Sequence, residues 1–126
     1  MKTALFTYLV TVLLATGCDS TQNEINLPTV SKKTNTNDKT YAMCASFNLK
    51  PTDVRTYFEN ANQVDKGEFH HTAIILPCSV YGKIKIKGIL YDWEIYAGGA
   101  GTLNANKISK QFLCKDKCCA RLPSAC

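Results

Sequence analysis

The feature that most constrains the fold of this chain is Cys78–Ala97, where two runs of alternating side chains flank a Lys87-Gly88 pair. Successive side chains of a strand point to opposite faces of a sheet, so the alternation predicts a β-hairpin with one apolar face. With Lys87 and Gly88 as the two loop residues, every pair on that face is apolar or small: Ile86 with Ile89, Ile84 with Tyr91, Gly82 with Trp93, Val80 with Ile95, and Cys78 with Ala97. Gly82 leaves room for the indole in this register. A slip of one residue would scatter the aromatic side chains, so the pattern predicts a single register.

The opposite face of the hairpin combines basic and large apolar side chains: Tyr81, Lys83, Lys85, Lys87, Leu90 and Tyr96. One interpretation is an interaction surface, since an uncovered apolar patch commonly binds protein and a basic strip attracts anionic lipid, cell-wall polymer or an acidic partner. The other is a solvent face. In that case Asp92 and Glu94 neutralise the lysines across the hairpin, and the C-terminal tail covers the apolar side chains.

The amino end has the pattern of an export signal. Lys2 supplies a positive charge, and an apolar run follows from Ala4 to Ala15. This run is too short to span a bilayer, which takes about 20 residues. We therefore expect a secretory signal peptide.

The end of this signal, LATGC at Leu14–Cys18, resembles the lipobox of bacterial lipoproteins, apart from Ala15, where that family most often has Leu. The resemblance implies cleavage after Gly17, so that residues 1–17 are removed and Cys18 carries a diacylglyceryl thioether and an N-acyl chain such as palmitate. It also implies a chain anchored by lipid on the periplasmic side of a membrane. Asp19 resembles the enterobacterial signal for retention in the inner membrane, and the outer membrane is the alternative.

The other cysteines number six: Cys44, Cys78, Cys114, Cys118, Cys119 and Cys126. An even number in an exported chain predicts a disulfide framework, although six cysteines allow 15 pairings. We expect Cys78 to pair with Cys114 or Cys118, and Cys44 to join the C-terminal cluster. The adjacent Cys118 and Cys119 should each pair elsewhere.

The chain divides into three parts. Residues 18–40 are polar, without aromatic side chains or periodicity, and read as a lipidated cysteine followed by a disordered tether. Residues 41–126 form a single small domain. We expect its helix to begin at Pro51 and end near 63–66. Besides the hairpin, the candidate strands are 41–49, 68–76, 101–103 and 108–113. The predicted fold is α+β, with one N-terminal helix packed on an antiparallel sheet of three to five strands.

The sequence carries few candidates for chemistry. His70 and His71 are the only histidines. A zinc site could combine one of them with Cys78, Cys114 and Cys118, and Glu68 beside a histidine could form an acid–base pair. An oxidising compartment favours disulfides over metal-bound thiolates, so we expect no enzyme, no cofactor and no resident metal. The leading hypothesis is a non-catalytic module that binds an envelope or toxin protein and not nucleic acid, with zinc handling as the alternative.

Overall fold

The structure is a computed structural model that describes residues 28–126. The predicted signal peptide, the segment that resembles a lipobox and Cys18 lie outside the described residues. The described helices and strands, in chain order, are β1 (Ser31–Thr34), a 3-10 helix (Tyr41–Cys44), α1 (Pro51–Asn60), β2 (Asn62–Val64), α2 (Lys66–Thr72), β3 (Cys78–Ile86), β4 (Ile89–Tyr96), β5 (Ala100–Ala105), β6 (Ile108–Leu113), α3 (Asp116–Arg121) and a second 3-10 helix (Pro123–Ala125). None of the helices in this part of the chain is long and apolar enough to cross a bilayer.

The predicted hairpin is confirmed by the pairing of β3 with β4. Ile86 pairs with Ile89, Ile84 with Tyr91, and Gly82 with Trp93. The Lys87-Gly88 turn has positive φ at both residues, 48° and 81°. A two-residue turn of this kind matches the right-handed twist of the strands that it joins. Periodicity and turn chemistry therefore determine the centre of the sheet.

The sheet is antiparallel and has six strands in the order β1-β3-β4-β5-β6-β2. The prediction of an α+β fold stapled by disulfides is confirmed, whereas the predicted count of three to five strands is too low. The two additional strands are the short edge strands, β1 and β2. Each has only three or four residues, which is too short to produce a recognisable alternation.

One face of the sheet packs against α1 and forms the core. Tyr57, Val80 and Ile95 are fully buried, and Trp93 is nearly so. The Tyr57 ring lies on Gly101, and its hydroxyl donates a hydrogen bond of 2.7 Å to the carbonyl of Gly99. Burial raises the pKa of this hydroxyl. The α1 helix is thus held by aromatic packing and by a buried hydrogen bond to the sheet.

Several predicted elements differ from the structure. The helix is not N-terminal to the sheet, because β1 precedes it, and it ends at Asn60 rather than near 63–66. Residues 41–44 form a 3-10 helix and not a strand. Within the predicted strand 68–76, residues up to Thr72 belong to α2. The side chain of Asp65 accepts a hydrogen bond from the Glu68 N–H and caps this helix, so the local capping signal prevails over the apolar content of the segment.

The first described residues lie against β3 and account for Gly82. Ser31–Thr34, which the sequence assigns to the tether, pairs with Cys78–Tyr81. Just before this strand, the Thr29 carbonyl oxygen lies 1.8 Å from where a Cβ on Gly82 would stand. The prediction that Gly82 makes room for the indole of Trp93 is therefore corrected, because the space is taken by the Thr29 backbone. The Thr29 hydroxyl also accepts a hydrogen bond from the Lys83 N–H.

The presence of disulfides is confirmed, and the expected pairing is wrong. Cys44 bonds to Cys78, whereas Cys114 bonds to Cys118 and Cys119 to Cys126. The adjacent cysteines each pair elsewhere, as expected. The expectation failed because the 3-10 helix brings Cys44 to the start of β3, and α3 turns the tail back on itself. The C-terminal tail therefore contains two local bridges, and the Cys44–Cys78 bridge closes one long loop.

Replacement of Gly82 by Ala should destabilise the domain by about 1–3 kcal/mol, because the new methyl group overlaps the Thr29 backbone and one of the two segments must move. Urea unfolding monitored by Trp93 fluorescence measures the change. Gly67→Ala is the control, since its added Cβ meets nothing nearer than the Asp65 side chain at 3.2 Å. Equal stability of the two variants would show that Thr29 does not lie against β3.

Loss of the Cys44–Cys78 bridge should cost more than loss of the Cys114–Cys118 bridge, because the sequence separations are 34 and 4 residues. The entropy of closing these loops in the unfolded chain corresponds to about 4 and about 2 kcal/mol. Urea unfolding of the paired variants C44A/C78A and C114A/C118A, without reductant, compares them. Each pair has the same chemical change, so an equal or reversed loss would contradict the assigned bridges.

Candidate interaction surface on the open face of the sheet

The face of the sheet opposite α1 is the candidate interaction surface, and we call it the open face. Alternation along the paired strands places on it the side chains of Lys33, Tyr81, Lys83, Lys85, Leu90, Asp92, Glu94, Tyr96, Thr102 and Asn104. Tyr81 is 43% exposed and Leu90 is 58% exposed. The open face therefore presents large apolar side chains among charged ones, on a sheet whose other side is packed.

A groove of about 370 Å³ runs across the middle of the open face. It is lined by Lys33, Tyr81, Gly82, Asp92, Trp93, Glu94, Thr102 and Asn104. A second groove of about 190 Å³ shares Lys33 and Glu94 with it and reaches Tyr96. A third groove of about 290 Å³ shares Thr102 and continues along α2 past Phe69 and Ile75. Through these shared residues, the second and the third groove each adjoin the first.

One ion pair and one hydrogen-bonded carboxylate lie on the open face. The Lys83 ammonium lies 2.6 Å from the Asp92 carboxylate, and both side chains are well exposed, so this pair contributes little to stability. The Glu94 carboxylate accepts a hydrogen bond of 2.7 Å from the Ser79 hydroxyl. Partial burial, with the charge and hydrogen bonding of Glu94, raises the pKa of Tyr96. Glu94 thus holds side chains of two neighbouring strands in place.

Five of the six side chains predicted for this surface, all except Lys87, lie on the open face. Lys87 lies in the turn at the end of the hairpin. The predicted alternative, in which the C-terminal tail covers this face, does not hold for the described residues. Instead α3 lies beside α1, and the open face is bordered by α2 and the segment that follows it, where the Leu76 N–H bonds to the Ala97 carbonyl.

Sequence reasoning missed three residues that line the central groove. Lys33 was assigned to the tether, and no local signal would have placed it in the sheet. Thr102 and Asn104 belong to β5, which is longer than its predicted counterpart at 101–103. Continued alternation from Thr102 to Asn104 was the available signal. These residues make the groove more polar than the hairpin alone suggested.

The residues of the proposed zinc and acid–base sites take other positions. His70 and His71 are exposed neighbours on α2, with ring centroids 5.6 Å apart. Cys78, Cys114 and Cys118 are in disulfides, and Glu68 pairs with the ammonium of Lys115. Among the described residues, one group of sulfur atoms, those of Cys114, Cys119 and Cys126, lies within 4.8 Å of one another. These three sulfurs are likewise in disulfides, so each lacks the thiolate that binds zinc.

Comparisons of the chain with protein-family models, with curated proteins and with solved structures found no match.

Proposed function

We propose that this protein is an exported lipoprotein, anchored in the cell envelope through Cys18, whose domain is a non-catalytic module that binds another protein. An immunity or inhibitor protein that neutralises a toxin is one form of such a module. The observation that supports the proposal is the open face, where Tyr81 and Leu90 are exposed beside the central groove. Exposed aromatic and aliphatic side chains surrounded by polar ones are typical of protein interfaces.

The elements beneath the open face hold its strands in place. The strands that carry Tyr81 and Leu90 are central in the sheet, and their reverse side is buried under α1. The Cys44–Cys78 bridge fixes the start of β3. A surface that is already ordered loses little conformational entropy on binding, which favours affinity.

The disulfides support this function over the zinc alternative. A zinc site built from Cys78, Cys114 and Cys118 needs three thiolates, and each of these cysteines is in a disulfide bond. The exposed histidines on α2 alone supply two imidazoles. A protein-binding module needs no free thiolate, so this function is compatible with the disulfide-bonded chain of the structure.

The mass of the mature protein tests the anchor and the oxidised state together. We expect a chain that begins at Cys18 and is heavier by a diacylglyceryl group and an acyl chain. Alkylation without reductant should leave the other six cysteines unmodified. A mass without lipid would contradict the anchor. Three or four alkylated thiols, with zinc in the native sample, would favour the zinc alternative.

Photo-crosslinking from the open face tests the module. A photoreactive residue in place of Tyr81, in the full chain and in its native cell envelope, should capture one defined protein. The matched control is Tyr41, which is 41% exposed on the 3-10 helix outside the sheet, and it should capture nothing comparable.

Truncation of a neighbouring side chain completes this test. Leu90→Ala should weaken the purified complex about tenfold, as removal of one well-packed apolar contact does, whereas Met43→Ala should leave it unchanged. Met43 is 63% exposed and lies near Tyr41. Equal capture from positions 41 and 81, no capture from either, or a Leu90→Ala variant that binds normally would each contradict binding through the open face.

A further inference from the structure

The end of the sheet that carries the turns of both long hairpins has a distinct composition. The β3–β4 turn is Lys87-Gly88 and the β5–β6 turn is at Asn106-Lys107. Both turns lie at the same end, because β4 and β5 pair antiparallel between them. We call this end the basic tip and define it by Lys85, Ile86, Lys87, Ile89, Leu90, Lys107 and Ile108.

The basic tip combines uncompensated positive charge with exposed aliphatic side chains. Ile89 is 40% exposed, Leu90 58% and Ile108 39%. Lys87 and Lys107 are exposed and have no ion pair within the described residues. Two acidic groups lie beside the tip: Asp92, which is paired with Lys83, and Glu59, which shares a cleft with Arg55, Lys85 and Lys87. The net charge of the tip is positive when these groups are included.

The opposite end of the domain differs in both respects. It carries the three disulfides and the α3 helix. Acidic residues are interspersed among its lysines: Lys115 is paired with Glu68, and Lys39 and Lys117 follow Asp38 and Asp116 in the sequence. In contrast, no acidic residue is among those that define the tip.

The first described residues run along β3 from the side of the tip toward the start of that strand. The β1 strand runs antiparallel to β3, with Ser31 opposite Tyr81 and Thr34 opposite Cys78. Moving toward the amino end, Thr29 lies at Gly82 and Lys83, farther along β3 toward its turn. Cys18 precedes Pro28 by ten residues, which span at most about 35 Å when fully extended and roughly 18 Å on average for a flexible chain.

We propose that the basic tip docks on the anionic phospholipid surface of the membrane that holds the chain. This inference rests on the proposed lipid anchor at Cys18, because the anchor and the entry point of the chain together bring the tip to the bilayer. The lysine ammonium groups interact with lipid phosphates, and the side chains of Ile89 and Ile108 insert at the headgroup level. The open face then stands beside the membrane, with its far end near Tyr96 directed away from it.

Lysine acetylation on vesicles tests the docking in the mature lipidated protein. The protein is reconstituted either in phosphatidylcholine vesicles or in vesicles that contain phosphatidylglycerol, and the acetylation rate of each lysine is read by peptide mass spectrometry. Lys87 and Lys107 should react roughly fivefold more slowly on the anionic vesicles, a factor that corresponds to the membrane attraction of one lysine. Lys39 and Lys117, at the other end, serve as internal controls and should react equally on both. Salt at 1 M should abolish the protection, since it shortens the Debye length to about 3 Å.

A matched pair of variants completes the test. K87Q/K107Q should abolish the difference between the two vesicle types at Lys85, whereas K39Q/K117Q should leave it intact. Equal rates at Lys87 and Lys107 on both vesicles, or protection of Lys39 and Lys117 instead, would overturn the docking. Failure of the anchor is distinguishable, because an unlipidated chain would not remain on phosphatidylcholine vesicles. Failure of the protein-binding function would leave these rates unchanged.

Discussion

The packing of α1 against the apolar face of the β3–β4 hairpin is the interaction on which the rest of this domain depends. Tyr57 and Phe58 bring two aromatic rings onto the sheet, and Phe58 meets the rings of Trp93 and Phe112 edge to face. Each large apolar side chain that is fully buried contributes about 1.5–3 kcal/mol. The indole N–H of Trp93 has no hydrogen-bond acceptor among the described residues. The core is thus specified by shape and aromatic contact more than by polar bonds.

Two glycines of the sheet allow other segments to approach it closely. A Cβ on Gly101 would stand 2.5 Å from the Tyr57 hydroxyl, and one on Gly82 would overlap the Thr29 carbonyl. Gly101 lets the helix approach the sheet closely enough for the tyrosine to reach the Gly99 carbonyl. Gly82 lets the entering chain cross β3 before it forms β1. Both positions couple segments that are far apart in the sequence to the central hairpin.

The same arrangement separates the surfaces that the proposals use. Because α1, α3 and the disulfides occupy one face and one end, much of the opposite face and of the opposite end is left exposed among the described residues, with α2 and the segment after it along one border of the open face. The open face carries charges of both signs around Tyr81, Leu90 and Tyr96, among them the Lys83–Asp92 pair, whereas the tip carries lysines alone. Leu90 and Lys85 lie where the two surfaces meet. A protein partner on the open face would consequently lie close to the membrane surface, which restricts the directions from which it can approach.

The sequence by itself determined the central hairpin, its register, its two faces and the presence of disulfides, because period-2 alternation and a Lys-Gly turn are local signals. It also placed five of the six predicted surface residues on one face. Only the tertiary structure decided the partners of the cysteines, the membership of Lys33 in the sheet and the function of Gly82. These depend on contacts between segments distant in the sequence, such as Thr29 on β3 and Cys44 at the start of that strand. The α2 helix lies between the two cases: Asp65 and Glu68 carry a capping signal, but the β-branched and apolar residues from Thr72 to Leu76 pointed to a strand. Local patterns define which side chains share a face, whereas long-range packing decides what covers each face and which end the chain enters.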